Sequence, residues 1–305
     1  MQDTFLYICS VKLSVLIPDF NYDCSRLVRD LQSQIDDNDE VIVGDDCSSN
    51  PQVQDILSQI SKWPRCKVWR SETNLGRASI RNRLAEQAQG DWLLFIDCDA
   101  EVRSAAFISR YKQESKGKEM LCGGVGSMSP TDCLSKNLRW LYEVSVEKKL
   151  DIKRRRKKPY ECLTTFNFMI RKDVFERIGF DERCIKYGHE DTMFASELKC
   201  RGIDVWHIDN KLTHLGIDSN AVFLEKTETA LESLRQMDIK TRLHAKVSRL
   251  QMRLNLWKGD KIVAACFRVF RSILRRNLLS KRPSLFLFSL YKLGYYCNLE
   301  KNIEA

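Results

Sequence analysis

Apolar residues in the first hundred positions fall into short runs, separated by stretches with helical spacing. Leu13 to Ile17 (LSVLI), Glu40 to Gly44 (EVIVG), Cys66 to Arg70 and Trp92 to Ile96 (WLLFI) are too short for buried helices and predict strands. Runs as apolar as the first and last belong in a sheet covered on both faces. Between them, Leu27, Val28, Leu31 and Ile35, then Val53, Ile56, Leu57 and Ile60, then Ile80, Leu84 and Ala88 mark three helix faces. Pro18 is expected to stop the first strand, with Asp19-Phe20-Asn21-Tyr22 as the turn. Ser48 or Ser49 is expected to cap the second helix, Pro51 to sit in its first turn, and Gly90 to close the third. Strict alternation of this kind gives a parallel, helix-flanked sheet with right-handed crossovers.

The second half is less regular. Ala105 to Tyr111 reads as a short helix, Met120 to Val125 as a strand, and Leu138, Leu141 and Tyr142 as one helix face. Leu163 to Ile170 and Ile203 to Ile208 read as strands, with a short helix marked by Val174, Phe175 and Ile178. Tyr187-Gly188-His189-Glu190-Asp191 opens a helix with Phe194 and Leu198 inward. From Val222 onward only helical spacing remains. Ile262, Ala265, Cys266, Val269, Phe270, Ile273 and Leu274 outline one face, and Arg268, Arg271 and Arg275 lie on the other side. Such helices either cap their own protein or lie on a membrane surface through the arginines.

At 305 residues the chain can bury one large core or a core with an appendage. Twelve cysteines occur without a CxxC pair or metal-knuckle spacing, and several sit in apolar runs, so a reduced, cytoplasmic protein is expected. The run Phe5 to Val11 follows Asp3 rather than a basic region and reads as an extension of the first strand, not a signal peptide. The basic run Lys153 to Lys158 reads as a solvated surface, or as a mobile loop over phosphates; it lacks the helix and aromatic context that would point to nucleic acid.

Candidate chemistry collects at strand ends. Trp92 to Ile96 runs into Asp97-Cys98-Asp99, and residues two apart on an extended segment point the same way, so both carboxylates can converge on a divalent cation held with a diphosphate. The second strand ends in Asp45-Asp46, and Phe20 follows the first, where its ring could stack on a nucleobase while a carboxylate accepts a ring N–H. No glycine lies between Pro18 and Ser25, so the GxGxxG fingerprint of nicotinamide and flavin enzymes is absent.

Together, Pro18-Asp19-Phe20-Asn21, Gly44-Asp45-Asp46-Cys47-Ser48, Asn74-Leu75-Gly76 with Arg81-Asn82, and Asp97-Cys98-Asp99 resemble the ordered motifs of family 2 glycosyltransferases. The resemblance covers roughly 13–216. It implies an α/β fold of the GT-A type: Rossmann-like, with a mostly parallel sheet flanked by helices and, here, a helical C-terminal extension. A catalytic domain over 1–221 is expected, its donor-binding half at about 13–101 and its acceptor half at about 102–221, with the extension over 222–305. Carried over position by position, Pro18, Phe20, Asp45, Asp46, Asn74, Gly76, Arg81 and Asp97 would hold a nucleotide-sugar, most simply a UDP-sugar. Asp99 and His214 would bind Mn²⁺ or Mg²⁺, Asp191 would be the base of an inverting transfer, and Glu190 would bind acceptor or position its loop. The resemblance implies the donor and a glycan or lipid-linked glycan acceptor as partners; the arginine stripe and late aromatics of the C-terminal helices add an anionic membrane surface, and no nucleic acid is expected. Asp19 and Cys47 depart from the family pattern, which commonly has a small or hydroxyl residue and a glycine there. Two other readings remain open: a nucleotidyl- or phosphoryl-transferring enzyme of similar topology, and a non-catalytic, membrane-associated protein that keeps the fold.

Overall fold

The computed structural model describes residues 11–182, 188 and 190–299. The stretch 5–10 of the first apolar run, and Tyr187 and His189 of the expected helix opening, lie outside the described residues. The first half alternates as its pattern requires: β1 (Leu13–Asp19), α1 (Ser25–Gln32), β2 (Glu40–Asp45), α2 (Pro51–Ile60), β3 (Cys66–Arg70), α3 (Gly76–Gln87) and β4 (Trp92–Ile96). The second half runs β5 (Ala100–Glu101), α4 (Phe107–Glu114), β6 (Met120–Cys122), β7 (Val125–Gly126), α5 (Leu138–Lys149), α6 (Ile152–Lys157), β8 (Asn167–Arg171), α7 (Lys172–Ile178), α8 (Glu190–Cys200), β9 (Val205–His207) and β10 (Leu212–His214). The main sheet has the order β3-β2-β1-β4-β8-β6-β9, with β8 antiparallel to both its neighbours and the other pairings parallel. A small second sheet, β5-β10-β7, stands beside its carboxyl edge.

Period-two alternation splits the strands between two cores. Leu13, Val15, Ile17, Val41, Val43, Leu94 and Ile96 pack with α1, α2 and α4, whereas Leu16, Ile42, Leu93 and Phe95 pack with α3, α7 and α8. Each such aliphatic side chain contributes about 1.5–3 kcal/mol when fully buried. On the second face the rings of Phe95 and Phe168 stack at 4.8 Å, and those of Phe180 and Phe194 at 4.5 Å.

Three local expectations are corrected. Pro18 does not stop the first strand: β1 continues in register with Gly44 and Asp45 of β2, beyond its last partner in β4. The cap of α2 is Asn50, whose side chain accepts from Gln52 N, because Ser48 Oγ is committed to Asn21 N at 2.7 Å. The basic run is solvated as expected except at Arg155, but it is not a loop. It forms α6, and Arg155, only 4% exposed, donates to Gly123 O at 3.2 Å and Ile208 O at 2.9 Å, while Arg156 donates to His207 O at 3.0 Å. Backbone carbonyls at the ends of β6 and β9 outbid water for these guanidinium groups.

The extension consists of α9 (Asn220–Gln236), α10 (Ile239–Arg242), α11 (Lys246–Asn255), α12 (Gly259–Leu278) and α13 (Leu285–Asn298). Its core joins Phe223 and Leu224 of α9, Phe267 and Leu278 of α12, and Phe288 and Tyr291 of α13 to Leu138 of α5. The amphipathic reading of α12 is inverted here. The face of Ile262, Val269, Phe270 and Ile273 points outward, each residue at least half exposed, while Arg271 and Arg275 turn toward Glu228 of α9 at 3.9 and 3.2 Å. Phe267 packs inward against Gly294, at a position spacing alone does not separate from the outer face. No described helix is long and apolar enough to cross a membrane, and none of the ten described cysteines is bonded to another.

A Cβ at Gly294 would sit 2.5 Å from the Phe267 ring. Gly294→Ala should therefore lower stability by about 1–3 kcal/mol despite alanine's better helix propensity. Chemical denaturation would check this; an unchanged or raised midpoint would mean that α12 and α13 have room to separate.

Candidate active site

The carboxyl ends of β1, β2 and β4 open into a cleft. One cavity, about 430 Å³, is lined by Phe20, Tyr22, Asn74, Ile80 and the acids Asp97 and Asp99, with Lys226 reaching in from α9. Phe20 is half exposed there, so its ring is available for stacking. Asp46 is buried and accepts from Leu75 N at 2.6 Å and Gly76 N at 3.0 Å, which fixes the entry to α3. Gly76 takes φ +80° in open space, so it is required for its backbone conformation rather than for room. Asp45 accepts from Ser48 N at 2.8 Å and pairs with Arg70 at 3.2 Å, holding the turn after β2. Cys47 occupies that turn at φ +65°, a left-handed conformation that favours glycine.

A second cavity, about 350 Å³, shares Arg77, Asp97 and Asp99 with the first and adds Thr165, Glu190, Asp191 and His214. Arg81, 1% exposed, donates to Asp97 Oδ1 at 2.5 Å and to Arg77 O at 3.0 Å, so Asp97 is oriented by an arginine from α3. Glu190 and Asp191 begin α8, where carboxylates suit the helix dipole. Glu190 pairs with Arg77 at 3.4 Å; burial works to raise its carboxyl, but Arg77 and Arg81 hold it below the ordinary range. Asp191 accepts from Thr165 Oγ1 at 2.5 Å, and burial together with the Glu190 charge pushes it up to about 6.

His214 meets Asp99 because β10 runs antiparallel to β5, with His214 opposite Ala100. Its Nε2 lies 3.1 Å from Asp99 Oδ2 and its Nδ1 2.9 Å from Glu143 Oε1 on α5. Burial would lower the imidazole, but the two carboxylates outweigh it and push it up to about 9. Burial likewise opposes ionisation of Asp99, which His214 overcomes to hold it below the usual range. No group of three or more His, Cys, Asp or Glu side chains among the described residues forms a ready-made metal site. One carboxylate oxygen and one imidazole nitrogen, converging where the two cavities meet, do fit a Mg²⁺ or Mn²⁺ ion that keeps several non-protein ligands. Gly216 keeps that point open, since a Cβ there would collide with Asp99 Oδ2.

The profile described as Glycosyl transferase family 2 matches residues 14–179. The chain belongs to this family. Asp191 and His214 lie beyond the matched residues. The family's GT-A fold is shared with a mannosyltransferase of Pyrobaculum calidifontis solved with GDP-Man and Mn²⁺, at TM-score 0.55 and 11% identity over 94% of this chain and 85% of that one. It is shared too with TarS residues 1–349 of Staphylococcus aureus solved with UDP-GlcNAc, at TM-score 0.51 and 17% identity over 94% and 89%. In sequence, a Haemophilus influenzae protein named an uncharacterized glycosyltransferase is 39% identical over 89 residues, 28% of this chain and 29% of that protein. A Campylobacter jejuni GalNAc(5)-diNAcBac-PP-undecaprenol beta-1,3-glucosyltransferase is 25% identical over 191 residues, 62% of this chain and 60% of that protein. The chain spans about a third of the length of the first curated relatives it matches.

Glu143, Arg77, Thr165 and Lys226, which the sequence does not single out, also line these cavities. Glu143 has a faint signal, one turn after Arg139 and off the face of Leu138 and Tyr142, but only the β5–β10 pairing brings His214 to it.

Asp19, where the family commonly has a small or hydroxyl residue, is 2% exposed with neither oxygen hydrogen-bonded in good geometry, and burial pushes its carboxyl up to about 7. A carboxyl raised on folding binds its proton more tightly in the native state. Its contribution to stability is therefore full below the ordinary value of 3.8 and is lost as pH rises through about 7. Asp19→Asn should be more thermostable than the parent at pH 8, with the difference shrinking toward pH 4. Melting temperatures across that range check it, and a variant less stable at every pH would refute the assignment.

Proposed function

We propose that this chain is an inverting glycosyltransferase that moves a sugar from a nucleotide-sugar, most simply a UDP-sugar, to a hydroxyl of a glycan or lipid-linked glycan. The observation that carries this reading is the meeting of the two cavities at Arg77, Asp97 and Asp99, with an exposed aromatic ring in one and a raised carboxylate in the other. Phe20 stacks on the base. Asp97, oriented by Arg81, faces the ribose and diphosphate, and Lys226 adds positive charge to the same cavity. Asp99 and His214 would hold the divalent ion, which when bound neutralises the diphosphate as it leaves. Glu143, 2.9 Å from the other imidazole nitrogen, adds negative charge behind His214.

On the acceptor side, Asp191 takes the proton of the attacking hydroxyl. Thr165 fixes one of its oxygens, and its raised pKa makes it a stronger base than an exposed carboxylate while leaving it ionised at neutral pH. A single in-line displacement requires one such base and inverts the anomeric centre. The uridine preference follows the UDP-GlcNAc complex of TarS, and the lipid-linked acceptor follows the Campylobacter jejuni relative's name; the GDP-Man complex makes guanosine donors the comparison to run.

Asp191→Asn should lower turnover by about 10²–10⁴ with donor affinity nearly intact. Parent turnover should decline as pH falls through about 6, and Glu190→Gln should move that limb to lower pH because Glu190's charge helps raise Asp191. Transfer assays over a pH series decide it; near-normal transfer by a folded Asp191→Asn would place the base elsewhere.

The donor side is tested separately by calorimetry with UDP- and GDP-sugars, with and without Mn²⁺. Asp99→Asn should abolish most of the Mn²⁺-dependent gain in UDP affinity. Phe20→Ala should weaken UDP about tenfold or more whether or not metal is present, since stacking does not involve the ion. Unchanged metal dependence in Asp99→Asn would remove Asp99 from the metal site.

A further inference from the structure

The last described helices concentrate two properties that usually avoid each other. Residues 246–299 hold twelve lysines and arginines against one acid, Asp260, a surplus of eleven that exceeds the whole chain's net +9. The same span holds most of the large apolar side chains exposed among the described residues: Trp257 is 86% exposed, Val269 73%, Phe286 70%, Ile273 66% and Ile262 65%. Soluble surfaces seldom leave this much apolar area uncovered without a partner.

On α12, Ile262, Val269, Phe270 and Ile273 share one outward face over about three turns, opposite the face that packs on α13 through Phe267 and Leu278. Lys261, Arg268 and Arg276 are exposed along its flank, and Lys258 and Lys281 lie near its two ends. Arg271 and Arg275 turn away toward Glu228. An apolar strip bordered by cations matches the interface of an anionic bilayer, with the strip among the acyl chains and the cations at the headgroups. A second copy fits poorly, because a two-fold contact would set the same basic surplus against itself.

We propose that the outward face of α12, with Trp257 at its start, inserts shallowly into the surface of an anionic phospholipid membrane. Insertion of apolar side chains, rather than the Arg268–Arg271–Arg275 stripe, supplies the attachment that survives salt; the exposed cations select the anionic surface. This proposal is independent of the chemistry assigned to the cleft.

The full chain should float with vesicles of phosphatidylcholine mixed with phosphatidylglycerol, bind pure phosphatidylcholine vesicles less, and keep part of its binding in high salt. Ile262→Gln/Ile273→Gln replaces two exposed side chains, so its melting temperature should be unchanged while vesicle affinity falls at least about tenfold. Lys261→Glu/Arg276→Glu should weaken binding mainly at low salt, and serves as the second test if the first variant melts early. Undiminished flotation of both variants would overturn the proposal, as would failure of the parent to bind phosphatidylglycerol vesicles. A concentration-dependent dimer that the isoleucine substitutions split would overturn it in favour of a second copy.

Discussion

Four carboxylates, Asp97, Asp99, Glu190 and Asp191, are drawn into one cleft, and their mutual repulsion in a partly dry site is the constraint around which the structure is arranged. Each is answered by a group from another element: Arg81 of α3 for Asp97, His214 of β10 for Asp99, Arg77 of α3 for Glu190 and Thr165, before β8, for Asp191. The neutral hydroxyl of Thr165 is the weakest of these answers, and Asp191 is driven upward while Asp99 and Glu190 are held down. Unequal compensation thus sets Asp191 apart from the acids held ionised, as the proposed division between charge binding and proton acceptance requires.

Much of this was legible in the sequence because buried parallel strands are nearly all apolar, so the point where each becomes polar marks the edge where ligands bind. Phe20, Asp46 and Asp97–Asp99 stand out by that rule. The small sheet was not legible: β5 and β7 are two residues each, too short for any periodicity, yet β5 brings His214 to Asp99 across 115 positions. Within the basic run, Arg155 alone departs from the solvated reading, for a related reason. Nothing in Lys153–Lys158 distinguishes Arg155 from its neighbours until β6 and β9 present carbonyls to it.

The orientation of α12 exposes a limit of amphipathic reasoning. Its sequence has two apolar sides, a broad one carrying Ile262 and Ile273 and a narrow one carrying Phe267 and Leu278. Spacing favours the broad side for burial, but Gly294 admits the Phe267 ring, and Glu228 offers a charge partner to the arginines beside it. Close approach and ion pairing selected the narrower side.

Helix α5 ties the two parts of the molecule into one folding unit. Leu138 and Tyr142 on one side of it complete the core of the extension, and Glu143 on another bears on His214. A boundary drawn at 221/222 also cuts the first turn of α9, whose Phe223 and Leu224 lie in that same core. Shortening the chain there would strip α5 of its covering and leave an apolar helix face in water behind Glu143 and His214. The C-terminal helices are therefore bound to the cleft through α5, with Lys226 of α9 lining it, rather than hung on it as a handle.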